Sequence, residues 1–402
     1  MADEALANNS KAEKSAEAAK PAARKQWSPR IWSGMNFPTW MGVLFRNRWN
    51  VSLRYTYKLI LITTCTVANS VLWLVEKAVY GRAVAKTQIH PQPLIILGHW
   101  RSGTTWLHEL FGLDPQFSSP STYQCLAPTQ FLVSGWAKWL LGFLVPEHRP
   151  MDNMPVGWDR PQEDEFAMCN LGAKSPYMTI AFPNRGFVYE EYLTFVGVPH
   201  AERERWKQTL LGFLRKVTFA TKKRLIIKSP GHTARVDMML EMFPDAKFVH
   251  IVRDPYVLFP STVHLWKRLY DTHGMQEPTY EGVEEHVLER FVRIDDKFDQ
   301  DRSRIPPGNL ISLRYEDLVK NPIPLLRQIY EQLELGDFEQ VRPAVEKYLS
   351  EQADYKTNKY RLTPEQRAEV TRRWSRYFDR YGYPRDPQSA ADASTTSPIA
   401  QG

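Results

Sequence analysis

The stretch "LIILGHWRSGTTWLHELF", residues 94–111, decides how the rest of the chain is read. A short apolar run stops at Gly98, Gly103 follows five positions later, and two threonines lead into an amphipathic helical pattern. Strand, glycine-bounded turn and helix in that order make the frame of a phosphate-cradling loop, G-x-x-x-x-G-K-[ST]. Its backbone amides and helix N-terminus attract an anion. Thr104 stands where the lysine belongs. Ser102, Thr104 and Thr105 offer hydroxyls, and the positive charge has moved forward to Arg101. A nucleoside triphosphatase needs that lysine on its β- and γ-phosphates and a hydroxyl-held magnesium. The altered loop suits a ligand with a shorter, less charged 5′ group.

Outward from the loop, three further apolar runs read as strands: "RLIIK" (224–228), "KFVHIV" (247–252) and "NLISL" (309–313), joining "PLIIL" (93–97). Each is followed by a helical pattern, and such alternation predicts a parallel sheet covered by helices on both faces. The expected fold is α/β, a P-loop NTPase-like sheet, with a helical or irregular insertion at about 115–215 that caps the carboxyl ends of the strands, where such sheets bind ligands. In "FVHIVRDPYVLFPSTVHLW", Arg253 ends a strand and Ser261 lies eight residues on. The pair either converges on a second phosphate or divides into an Arg253–Asp254 ion pair and a helix-surface serine.

Four motifs in order, "RSGTTW" (101–106), "KSP" (228–230), "VRDP" with Ser261 (252–261) and "RYEDL" (314–318), resemble the sulfotransferases that use 3′-phosphoadenosine 5′-phosphosulfate, PAPS. The likeness spans about 220 residues and is closest to the branch with "RSGTT" and "K-x-P", bacterial members and tyrosylprotein sulfotransferases among them. It implies that Arg101, Ser102, Gly103, Thr104 and Thr105 hold the 5′-phosphosulfate and that Arg253 and Ser261 hold the 3′-phosphate. Trp106 is implied to stack on adenine, with Tyr315 at the adenine edge. Lys228 and Arg101 then neutralise the leaving phosphate, because sulfuryl transfer is mostly positioning and charge stabilisation. No metal is required, and the sequence offers no convincing acidic cluster to hold one. The general base departs from the family's patterns. The histidine two residues after the strand-end lysine in cytosolic members is Pro230 here, and "SSPSTYQC" lacks the glutamate of the tyrosylprotein branch. In order of preference, the substitutes are Glu163, Glu165 and His232; the two glutamates lie in "WDRPQEDEFAM". The Arg-Lys-Gly triplet of cytosolic members is also absent, which leaves Lys359 as a candidate late 3′-phosphate contact. A P-loop kinase or NTPase, and a non-catalytic membrane-associated scaffold, are the alternative readings.

The formal charge of +7 is uneven: residues 21–58 hold seven Arg and Lys and no Asp or Glu. A basic segment on a nearly neutral body points to anionic lipid, and no basic/aromatic repeat marks a nucleic-acid groove. Directly after it, residues 59–75, "LILITTCTVANSVLWLV", are uncharged. They sit at the lower limit of about 17 residues for a span and are diluted by Thr, Asn and Ser, so the segment reads as an interfacial helix on a cytoplasmic protein. The aromatic-rich insertion adds a hint of a small-molecule, lipid-like or glycan acceptor. Residues 1–22 and 387–402 are expected to be disordered tails, 23–90 a basic and hydrophobic helical segment, and 91–386 the catalytic domain. Three scattered cysteines, Cys65, Cys125 and Cys169, make no disulfide framework.

Overall fold

The four apolar runs become strands of one sheet. The computed structural model describes residues 30–140, 157–352 and 360–385. β1 (Leu94–Leu97), β3 (Arg224–Lys228), β4 (Lys247–Val252) and β5 (Leu310–Arg314) lie parallel in the order β2-β3-β1-β4-β5. The edge strand β2 (Phe117–Ser118) was not foreseen, because two residues carry no readable period. All four residues of β1 are buried. Leu94 and Ile96 enter the core cluster on one face, while Ile95 and Leu97 enter that on the other. That double burial is why β1 reads as a continuous apolar run rather than an alternation.

Eight helices build the site or carry its surroundings: α1 (Phe37–Arg46), α2 (Thr56–Ala85), α3 (Thr104–Gly112), α4 (Asp164–Asn170), α5 (His200–Thr221), α6 (Pro255–His273), α7 (Val283–Asp301) and α8 (Pro322–Leu333). α3 leaves β1 through the glycine loop and packs with α8 on one face through Leu107, Leu110, Phe111, Ile329 and Leu333. α5 brings Leu210, Leu214 and Val217 to the other. Residues 30–58 are stitched to the end of α6. Trp32 Nε1 donates to His273 O at 2.8 Å, and Lys58 Nζ donates to Gly274 O at 2.8 Å. With Trp32 and Trp40 fully buried, this basic N-terminal layer is part of the body. The tail readings, the middle of the aromatic-rich insertion (141–156) and Lys359 lie outside the described residues.

Candidate active site

The loop after β1 is held by contacts that tolerate no side chain at two positions. Gly98 has φ +149°, and a Cβ there would lie 2.6 Å from Ile251 O; Gly103 has φ +105°, and a Cβ would lie 2.4 Å from Tyr315 Cδ2. Thr233 fixes the start of the turn, since its Oγ1 accepts from Gly98 N at 2.8 Å. Arg101 adopts φ +70°, a left-handed conformation that an arginine holds only when its surroundings over-determine it. α3 begins at Thr104, so its first-turn amides, free of intrahelical acceptors, face the loop.

Two neighbourhoods meet at this rim. In the first, Arg101 Nε donates to Ser261 Oγ at 2.8 Å and Arg253 Nη1 donates to Arg101 O at 2.9 Å. The Arg253 guanidinium lies 4.2 Å over the Tyr315 ring, which meets Trp106 edge-on at 6.1 Å. Arg101, Arg253, Ser261, Trp106 and Tyr315 thus come together from three parts of the chain. Arg253 does not pair with its neighbour: Asp254 caps α6 by accepting from Tyr256 N at 2.8 Å. Two details differ from the sequence reading. The Arg101 side chain bonds Ser261, and it is Lys228 whose Nζ lies 3.5 Å from Thr105 Oγ1 in the first turn of α3. The Ser102 hydroxyl donates inward to His99 O at 2.8 Å, tightening the turn.

In the second neighbourhood, Lys228 ends β3 with its side chain almost wholly buried. Its Nζ lies 3.0 Å from Glu163 Oε1 and 3.5 Å from Thr105 Oγ1. Glu163 precedes α4 in extended conformation and so projects off the helix. Its other oxygen accepts from Tyr177 OH at 2.5 Å, and that hydroxyl accepts from Trp100 Nε1 at 2.6 Å. Burial first, and then the Glu163 charge, push the Tyr177 phenol well above its usual range, so it stays a donor. Tyr177 was missed by sequence reading; nothing local in "SPYM" marks it, whereas Trp100 inside the loop was available.

The other two base candidates are committed elsewhere. Glu165, inside the first turn of α4, takes a bidentate Arg235 at 2.6 and 3.1 Å and Ser175 Oγ at 2.5 Å. Burial alone would raise the Glu165 pKa, but Arg235 outweighs it and holds the carboxyl below its usual range. His232 Nε2 contacts Asp164 at 2.9 Å, both fully buried. Although no metal-holding cluster was legible in sequence, Asp164, Glu165 and His232 do place their ligand atoms within 4.8 Å of one another. They fit a cation poorly, because the Arg235 guanidinium already occupies the Glu165 oxygens.

The model of the Sulfotransferase family matches residues 93–340. This chain belongs to that family. The sulfotransferase is 48% identical over 361 residues to omega-hydroxy-beta-dihydromenaquinone-9 sulfotransferase Stf3 of Mycobacterium bovis, with 90% of this chain and 93% of the relative covered. The match to the protein of the same name from Mycobacterium tuberculosis has the same values. Among solved structures, sulfotransferase STF9 of Mycobacterium avium shares the fold at TM-score 0.62 and 20% identity, covering 79% of this chain and 84% of that one. Sulfotransferase STF1 of Mycobacterium tuberculosis shares it at 0.54 and 15%, covering 84% and 92%. The enzyme is therefore a PAPS-dependent sulfotransferase on a P-loop-like α/β sheet, and it moves a sulfuryl group to its acceptor. The kinase and scaffold readings fall away.

Proposed function

We propose that the acceptor is a lipid-like alcohol of the ω-hydroxylated menaquinone kind, sulfated on its terminal hydroxyl with Glu163 as general base. The acceptor class rests on the name of the relatives at 48% identity. The roles rest on one observation: Glu163, Lys228 and Thr105 meet at the N-terminus of α3, with Lys228 Nζ between the carboxylate and the hydroxyl.

In this reading the loop amides and Thr104 and Thr105 hold the 5′-phosphosulfate. Arg253, Ser261 and the Arg101 guanidinium hold the 3′-phosphate, and Trp106 and Tyr315 flank the adenine. The acceptor oxygen forms its bond to sulfur as the bond from sulfur to the phosphate oxygen breaks. The proton goes to Glu163, and the electron pair goes to the 5′-phosphate. Lys228, drawn from its ion pair, neutralises that phosphate as its charge grows. Tyr177 and Trp100 fix the carboxylate's orientation, which makes them positioning residues. A cleft of about 110 Å³ mixes apolar walls from Val43, Met178, Phe182 and Val188 with the polar Arg46, Asn47, Thr179 and Arg185, and includes Met178, the residue after Tyr177 in sequence.

The test is an assay with sulfur-labelled PAPS and a detergent-solubilised ω-hydroxy prenyl quinol, run beside a short water-soluble alcohol. Label in the quinol, lost in Glu163→Gln with donor binding intact, is the expected result. Turnover of the short alcohol alone would overturn the acceptor class, and full activity in Glu163→Gln would overturn the base.

A further inference from the structure

α2 is built inside out. Its buried positions are Lys58, Ile62, Thr66, Asn69 and Glu76, four of the five polar or charged. Its outward stripe runs through Ile60, Val67, Val71, Leu74, Val75 and Val79, each at least 45% exposed. A surface helix in water does the reverse, with apolar residues inward and polar ones outward. The anomaly is local. Of the sixteen large apolar side chains exposed among the described residues, twelve lie between residues 37 and 79. Two of the other four, Trp136 and Trp139, follow the short helix Phe131–Ser134, whose Leu132 and Val133 amides donate to Glu76.

The buried face says how the helix sits. Lys58 bonds Gly274 O, Asn69 Nδ2 bonds Ser33 O and Met35 O at 2.7 and 2.9 Å, and Glu76 pairs with Lys216. These anchors extend over about 27 Å of helix, at 1.5 Å per residue. Crossing a bilayer would tear them out and leave their charges in hydrocarbon. The charge pattern says what covers the outer face. Exposed Arg46 and Arg48 precede the stripe, exposed Arg82 and Lys86 follow it, and Lys77 lies 5.4 Å over the Trp73 ring. Between residues 30 and 90 the only carboxylate is the buried Glu76.

We infer that the outer face of α2, with Trp49, Trp136 and Trp139 at its margin, is immersed in one leaflet of an anionic bilayer while the helix stays docked on the catalytic body. Apolar side chains enter the acyl region, the aromatic rings occupy the interface, and the cations meet anionic headgroups. The inference stands on the helix alone and does not require the acceptor proposed above.

Vesicle flotation of the full chain tests it, with phosphatidylcholine alone or with phosphatidylglycerol added. The chain is expected to float with the anionic vesicles, less so at high salt. The double variant Val67→Glu/Val71→Glu is expected to lower partitioning on the order of a hundredfold. Its melting temperature and its activity on detergent-solubilised or short acceptors should stay unchanged, since both side chains face outward. Failure of the chain to float, or equal flotation of the variant, would overturn the proposal. So would a dimer in sedimentation that the variant dissolves, because a second copy would then cover the face. Lipid quinol turnover would be untouched by any of these results.

Discussion

The sheet rim and α2 put polar groups to opposite uses. At the rim, apolar side chains fill the interior and polar groups collect at the carboxyl ends of β1, β3 and β4, where Lys228, Glu163, Arg101 and Arg253 partner one another. Along α2 most of the buried positions are polar, Lys58, Thr66, Asn69 and Glu76 against a single buried isoleucine, and a stripe of apolar side chains faces out. Both arrangements obey one rule: a buried polar group must be partnered, and an apolar surface goes where water is not. What differs is the medium that we propose for each region, a polyanionic donor at the rim and lipid along α2.

The comparison is broken or sharpened by four measurements. Glu163→Gln has the largest expected effect, a fall of about 10²–10⁴-fold in kcat, as for other general bases. The amide oxygen still accepts from Lys228, so donor binding measured by calorimetry should persist; a mutant as active as the parent would remove the base. Arg235→Met strands the Glu165 carboxylate in the interior and should cost about 3–5 kcal/mol in urea unfolding. If stability barely changed, the buried pair would be structurally idle, and Glu165 would return as a base candidate.

Next comes Arg253→Ala. Loss of charged hydrogen bonds of about 1.5–3 kcal/mol should weaken binding of adenosine 3′,5′-bisphosphate by roughly 10–150-fold, with kcat at saturating donor nearly kept. A change confined to kcat would place Arg253 at the sulfuryl group instead. The smallest effect is on acid stability. Burial first, and then nearby cations, lower His250 and His273 to about 3 from an unfolded value near 6.5. Burial likewise lowers His99 to about 3, against the pull of its hydrogen bond to Trp100 O. Between those limits the unfolded chain binds more protons than the folded one. Their contribution is therefore complete above pH 6.5 and is lost as pH falls toward 3. His273→Gln should flatten part of that slope in pH-dependent unfolding; an unchanged slope would show that this histidine is not held neutral.

The loop and the strands were readable because their signals are local. A glycine pair at fixed spacing and continuous apolar runs each report a backbone need within a few residues. The proposed base was readable only as a shortlist of Glu163, Glu165 and His232, with Glu163 first. Glu163, Asp164 and Glu165 are consecutive carboxylates at a helix start, and nothing in their order tells which faces Lys228. Glu163 stands in extended conformation before α4 and reaches Lys228, while Asp164 and Glu165, about 100° apart in its first turn, reach His232 and Arg235. Tyr177 is a tertiary partner with no signature of its own. Residues 59–75 carried a hydropathy signal but not its phase. That Lys58, Asn69 and Glu76 are the inward ones depends on acceptors at Gly274, Ser33 and Met35 and on the Leu132 amide.

The sequence by itself determined the α/β class, the anion loop, the order of the donor motifs and the basic, apolar character of the N-terminal segment. Each of these is a matter of residues close together in the chain. The tertiary structure alone decided which carboxylate meets Lys228, where the Arg101 guanidinium points and which side of α2 meets the outside. Those choices turn on electrostatic and hydrogen-bond partners tens to hundreds of residues away, and only the folded chain brings such partners within 3 Å or so.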